Sequence, residues 1–302
     1  MRQAIAMNVL SFTNAVAFAE RVGPVIDRHP AQASVLATFL DQSIHGPGFE
    51  THWFLIQDGD RPVGAAMHTA MFGLFLTPLP ETDGDLGMAA LAETLQQAGL
   101  RPSGAMGPLD TATTFVQAWE QRTGATSRRT DASRLYEIDS PPQRPAVSGS
   151  ARLAGEADLD VATRWTREFD VEAGQPPADP ERTVRRRLER GRLVFWEDGD
   201  QPVSMAGISR PISGVVRVGG VYTPKTHRRH GFGAAVTVAA TQQGFDDGAD
   251  RCVLYADLAN PTSNGIYLKI GYRPVGDSAL FTFDQDSAAS RLPQSEHSRT
   301  PE

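Results

Sequence analysis

Residues 221–235 read VYTPKTHRRHGFGAA. The β-branched residues leading into them, Val215, Val216, Val218 and Val221, predict a strand that stops at Thr223-Pro224. A basic, glycine-bearing loop follows, Arg228-Arg229-His230-Gly231-Phe232-Gly233, and the small-residue run at 234–240 predicts a helix. Strand, glycine loop and helix in this order point unpaired backbone N–H groups and the positive end of a helix dipole at one spot. Gly231 and Gly233 let the backbone approach an anion closely, and Arg228 and Arg229 add charge. A pyrophosphate suits such a spot.

The spacing is R-x-x-G-x-G. A Walker loop would need Lys-Ser/Thr after its last glycine, where Ala234-Ala235 stand. The dinucleotide fingerprint would need a third glycine at the position of Val236. The pattern resembles instead the coenzyme A loop of the GNAT superfamily of N-acetyltransferases. A second stretch, residues 252–275, CVLYADLANPTSNGIYLKIGYRPV, supports the resemblance. It predicts a strand at 252–255, a turn whose Asn260 can cap a helix, and a short helix through Ile266, Tyr267 and Ile270 that stops at Gly271. Asn260, Ser263, Tyr267 and Gly271-Tyr272 follow the order of the superfamily's later motif, at the expected distance behind the loop.

The chain has 302 residues, which predicts two domains of ordinary size. No run of about 18 apolar residues predicts a membrane span. The start of the chain lacks a convincing signal-peptide cleavage site, and a cytoplasmic protein is expected. The lone Cys252 allows no internal disulfide and reads as a small buried hydrophobe, and the seven histidines show no metal-ligand spacing, so no metal is expected. A net charge of −7 argues against wholesale nucleic-acid binding. The basic run at 182–192 predicts a helix with Val184 and Leu188 on one side and arginines around the rest. A solvated face is the simpler reading of those arginines; a contact to cofactor phosphates or to an acidic substrate is the functional one.

The first half echoes the second. Residues 53–68, WFLIQDGDRPVGAAMH, align with residues 193–208, LVFWEDGDQPVSMAGI, Gln57 falling on Glu197 at a spacing of 140 residues. Each reads as a hairpin turning at Asp-Gly. Residues 72–76 lead into Thr77-Pro78 as residues 215–222 lead into Thr223-Pro224, and a helix follows in each half, at 86–95 and 233–243. The first copy carries Glu81, Asp83 and Asp85 where the second carries its basic loop, and those carboxylates would repel a pyrophosphate. No tyrosine there matches Tyr267; Trp119 or Glu120 falls nearby.

The resemblance is therefore to tandem GNAT proteins with a degenerate N-terminal copy and an active C-terminal one. It implies an α/β (α+β) fold of two domains, each a mixed, mostly antiparallel sheet flanked by helices. Expected boundaries are 1–139 for the first domain, 140–150 for a Pro/Ser-rich linker, 151–285 for the acetyl-CoA-binding domain and 286–302 for a disordered tail. The first domain is expected to shape the acceptor cleft and cover a sheet edge.

The resemblance also assigns roles. Val221, Tyr222 and Thr223 would hold the pantetheine arm of coenzyme A and polarise the thioester carbonyl. Arg228, Arg229, His230, Gly231, Phe232, Gly233 and Ala234 would surround the pyrophosphate, and Asn260 and Asn264 could meet the pantetheine amides. His227 and His230 read as phosphate contacts or solvent-exposed side chains rather than bases. Tyr267 would protonate the leaving thiolate as general acid. Where many relatives carry a strand Glu as base, this chain has Val218-Gly219-Gly220, so Asp257, or Glu168, Asp170 or Glu172, is the substitute. The expected reaction is acetyl transfer from acetyl-CoA to a primary amine on a small molecule or peptide, by a monomer acting as its own pseudo-dimer or by a homodimer. The rival readings are a non-catalytic acyl-CoA sensor and a transferase of longer acyl groups. Net acidity favours cationic acceptors weakly.

Overall fold

A computed structural model describes residues 7–46, 50–71, 73–80, 84–174 and 179–284. Phe72, Glu81, Asp83 and the expected tail lie outside the described residues. The chain forms two compact units that interleave along the sequence. One comprises residues 1–25, 42–131 and 278–302, the other 26–41 and 132–277.

The first unit contains β1 (Met7–Phe12), β2 (Thr51–Asp58), β3 (Arg61–Thr69), β4 (Gly73–Leu76), α3 (Gly84–Gln97), β5 (Gly104–Pro108) and α4 (Leu109–Thr123). It also takes most of α1 (Ala15–Arg28) and the last residues of α2 (Ser34–His45). Its strands pair antiparallel except β4 with β5, and β5 pairs with residues 278–282 from the end of the chain. Phe54, Ile56, Leu74, Leu76, Met88, Leu91, Phe115 and Trp119 form its core, joined by Phe283.

The second unit contains the later part of β6 (Thr126–Ile138), β7 (Ser150–Leu153), α5 (Leu159–Glu172), α6 (Pro180–Glu189), β8 (Leu193–Asp198), β9 (Gln201–Ile208), β10 (Val215–Tyr222), α7 (Phe232–Asp246), β11 (Arg251–Asp257), α8 (Pro261–Lys269) and the first residues of β12 (Arg273–Asp284). Its strand order is β6-β11-β10-β9-β8-β7, with β10 and β11 the parallel pair. Period-2 alternation gives this sheet two faces. Val194, Trp196, Val203 and Ala206 pack with α7 on one, and Leu193, Phe195 and Met205 pack with Trp165 and Val184 of α5 and α6 on the other. Burying a side chain such as Phe195 contributes roughly 1.5–3 kcal/mol.

The sequence repeat is a structural one. The β2–β3 ladder shifts register between Ile56 and Gln57, and the β8–β9 ladder shifts between Trp196 and Glu197, at the same 140-residue spacing. The turns open on glycines with positive φ, Gly59 and Gly199. A small-residue α7 lets the helix lie close: a methyl group on Gly244 would come within 2.7 Å of Cys252 Sγ. Cys252 is fully buried as a small core residue, and burial pushes its thiol up to about 12.

Candidate active site

In the second unit, β10 and β11 pair over only three residues, Val215 to Arg217 against Arg251 to Val253. Beyond them β10 continues along β9, with a bulge between Gly219 and Tyr222, and β11 continues along β6. The two parallel strands thus part where the first strand nears its loop. After Pro224 the chain makes a short 3₁₀ turn (Lys225–His227) and reaches α7, whose N-cap is Gly231 at φ 85°. That left-handed conformation favours glycine. No described side chain caps α7, so its first N–H groups point outward. Arg229 also has a positive φ, 69°.

The predicted loop residues come together here, with companions. Arg228 donates through Nε to the Thr223 carbonyl (2.8 Å) and through Nη2 to Glu172 Oε2 (2.7 Å), and lies over the Tyr222 ring. Tyr222 is buried and donates its hydroxyl to Glu168 Oε2 (2.8 Å); burial first, then that carboxylate, pushes its pKa up to about 12. Ser204 donates to the Tyr222 carbonyl and shares a hydrogen bond with Thr223 Oγ1 (2.8 Å). Gly233 lies beside Thr223, and a methyl group there would come within 3.3 Å of Oγ1. His230 is exposed and stacks on the buried Phe232, and Ala234 is half-buried. Val221 packs half-buried against the core. Two of the carboxylates on α5, Glu168 and Glu172, therefore bind the residues of the predicted cofactor strand and loop.

The second motif folds as its spacing predicts. Asn260 caps α8, accepting from the Ser263 amide at 3.1 Å. Asn264 Nδ2 donates to the carbonyls of Asp257 and Asn260, and its Oδ1 accepts from the Tyr136 hydroxyl (2.7 Å). Asp257 is exposed at the end of β11 and accepts the Ala259 amide at 2.8 Å. Asn260, Asn264 and Asp257 thus brace the turn. Tyr267 is buried among Tyr136 and Tyr272, with ring centres 6.0 and 6.3 Å away. Burial pushes its pKa up to about 12, only partly opposed by a hydrogen bond with Ser263.

Three contributors escaped sequence reasoning. Tyr136 arrives from β6, more than a hundred residues before Tyr267, and no local pattern marks it. Val147, from the expected linker, packs so near Gly231 that a methyl group on that glycine would meet its Cγ2 at 2.9 Å. The linker is pinned there by Trp196, whose Nε1 donates to the Ser148 carbonyl. The third is Arg187. Val184 is buried and Leu188 packs on the same core, as the periodicity predicts, and Arg182, Arg185 and Arg186 are exposed. Arg187 departs from that solvated face: its guanidinium lies against Gly207 and Gly220. Glycines inside two strands were the available signal.

The equivalent place in the first unit differs. A methyl group on Gly107 of β5 would come within 2.9 Å of Leu76 Cβ, so β4 and β5 stay close there. Asp85 lies in the first turn of α3. Among the described residues, no group of three or more His, Cys, Asp or Glu could hold a metal ion, and no helix is long and apolar enough to cross a membrane.

Comparison with known proteins agrees with this geometry. Residues 159–272 match the acetyltransferase (GNAT) family model. A GCN5-related N-acetyltransferase from Sphaerobacter thermophilus superposes with a TM-score of 0.59 at 16% identity, covering 90% of this chain and 94% of that one. A GNAT-family acetyltransferase from Colwellia psychrerythraea gives 0.57 at 12% identity, covering 92% and 98%. A tandem GNAT protein from the clavulanic acid biosynthesis pathway gives 0.51 at 13% identity, again covering 92% and 98%. No curated protein sequence matches the chain. An α7 that opens on Gly231 without a side-chain cap, behind parting parallel strands, lies inside the matched region, and the fold is shared over most of the chain: residues 159–272 carry the match to the acetyltransferase (GNAT) family, in a chain with the fold of tandem GNAT proteins.

Proposed function

We propose that the chain moves an acetyl group from acetyl-CoA to the primary amine of a small-molecule or peptide acceptor. One observation carries the reading: α7 begins on a left-handed glycine with no side-chain cap, directly after the strand that leaves its parallel neighbour. A cradle closed by any larger side chain at Gly231, where Val147 already touches, fits a pyrophosphate held by main-chain N–H groups. Arg228 and Arg229 supply charge, and Val221, Tyr222 and Thr223 offer a strand edge to the pantetheine arm.

When bound, acetyl-CoA supplies the acetyl thioester. Tyr267 Oη holds a proton at neutral pH, because burial pushes its pKa up to about 12, and can give it to the departing sulfur. The acceptor must meet the site as a neutral amine. Asp170, whose carboxyl is held above the usual range by burial, and Glu168 are the α5 groups suited to take its proton. Asp257, engaged with the Ala259 amide, serves the turn and could relay a proton only through water.

Titration calorimetry of acetyl-CoA tests the reading on wild type and on an Arg228→Glu/Gly231→Asp double variant. One site per chain, lost in the variant, is expected. Wild type that binds no acetyl-CoA sinks the proposal, and two sites per chain would show that the first unit binds too. A non-catalytic sensor would bind but release no thiol with any amine.

A further inference from the structure

Arg187 sits on α6 among apolar neighbours, yet its guanidinium reaches the strands. A methyl group on Gly207 of β9 would come within 2.8 Å of its Cζ, and one on Gly220 of β10 within 3.1 Å of Nη1. Gly207 and Gly219 face each other across the β9–β10 ladder, so two side chains are missing from the same place. Gly220, at φ 62°, lies in the bulge. The strands are thus hollowed for this guanidinium, beside the point where β10 leaves β11.

Nothing described neutralises it. Among the described residues Arg187 makes no side-chain hydrogen bond and no ion pair, whereas Arg185 and Arg192 are paired. Burial lowers its pKa, Arg186 adds to that, and Asp170 opposes it from a distance too great for an ion pair. Arg187 is half-buried, and an unpaired guanidinium partly withdrawn from water costs free energy unless an anion satisfies its fork of donors. The guanidinium fills the space beside Gly207 and Gly220, while Gly219, opposite Gly207, leaves open space beside it, and Asp170 provides an opposite charge nearby.

We infer that Arg187 binds the carboxylate of the acceptor, and that the acceptor is a small amine bearing its own carboxylate, as a free amino acid does. This rests on the acetyl-transfer reading for the reaction but not for the binding. A planar fork takes a carboxylate in two parallel hydrogen bonds, which fixes the amine's direction as well as its position. It reverses the weak expectation from net charge, because local charge at the site, not the whole-chain sum, faces the ligand.

The test uses the full chain, as wild type, Arg187→Gln and Arg187→Lys. The probes are the L-amino acids, their decarboxylated amines such as tyramine, histamine and cadaverine, and aminoethylphosphonate. Thermal shift without donor reads binding, thiol release reads turnover, and calorimetry reads acetyl-CoA affinity. At least one amino acid should raise Tm and exceed its decarboxylated amine in kcat/KM. In Arg187→Gln that advantage should fall on the order of 10- to 100-fold through KM, with acetyl-CoA affinity unchanged. Arg187→Lys, which keeps the charge but not the fork, should lose part of it and carries the test if the Gln variant does not fold. Equal use of amines and amino acids, a preference that survives in Arg187→Gln, or aminoethylphosphonate outdoing every carboxylate would each overturn the inference. Loss of acetyl-CoA affinity in Arg187→Gln would also overturn it, assigning the guanidinium to the cofactor. Wild type that binds an amino acid but no acetyl-CoA would uphold the carboxylate site and defeat the acetyl-transfer reading instead.

Discussion

Glu172, at the end of α5, holds Arg228 of the loop by a 2.7 Å ion pair. The same guanidinium anchors on the Thr223 carbonyl, so one arginine joins α5, the end of β10 and the start of the loop. A phosphate arriving at the loop competes with the Glu172 carboxylate for it. Both side chains are more than a third exposed, so the pair contributes only about 0.2–1 kcal/mol. Glu172→Gln should therefore tighten acetyl-CoA binding by roughly 2- to 5-fold at low salt, less as salt screens the pair. Weaker binding in a calorimetric titration would show that Glu172 positions Arg228 rather than competing for it.

Tyr267→Phe keeps the ring and removes the hydroxyl. It should cut kcat by on the order of 100-fold or more while leaving acetyl-CoA affinity in place. Unchanged turnover would remove Tyr267 from the chemistry and leave it a packing residue.

Gly231 and Gly248 separate conformation from contact. Both have positive φ, 85° and 89°, but a methyl group at 231 meets Val147 whereas one at 248 meets nothing within 4 Å. Gly248→Ala should lose about 1–2 kcal/mol of stability and keep cofactor binding. Gly231→Ala should lose at least as much and also weaken acetyl-CoA binding. Equal affinities in the two variants would count against the cradle at Gly231.

A fragment starting at residue 151 lacks residues 133–138, which pair with β11 and bring Leu135, Tyr136 and Ile138 into the core. It lacks residues 26–41 as well, where Ala31 packs with Val215 and Val253 and where the Ser34 carbonyl and Thr38 Oγ1 accept from Arg217. Fragment 151–284 should fail to give a cooperative unfolding transition, read by circular dichroism. A stable fragment would show that these segments are dispensable.

Alkaline stability follows from the buried tyrosines. Burial raises the pKa of Tyr267 to about 12, and raises that of Tyr272 as well. In the unfolded chain both ionise near the ordinary value of about 10. Below pH 10 both states keep these protons and stability is full. Above it the unfolded state loses protons that the folded state retains, so stability falls as pH rises from about 10 to 12, by about 1.4 kcal/mol per pH unit for each such tyrosine. Urea unfolding at pH 9, 10 and 11 should show the decline, and Tyr272→Phe should make it shallower. A flat profile would contradict their burial.

Local order was legible in the chain because it is written in short-range chemistry. Gly231 and Gly233 behind a β-branched strand specify a loop that opens a helix, and Asn260 with Gly271 brackets α8, since caps and left-handed turns depend on a few adjacent residues. The 140-residue repeat survives as matching hairpins and matching register shifts. Tertiary structure alone decided which distant segments complete the site. Tyr136 meets Asn264, Glu172 meets Arg228 and Val147 meets Gly231, contacts that no periodicity encodes. It also decided that a residue from an apparently solvated arginine face, Arg187, turns into a slot between two strands. The reason is physical: a backbone pattern selects an element, but the space left by absent side chains at Gly207, Gly219 and Gly220 exists only once β9, β10 and α6 are packed together.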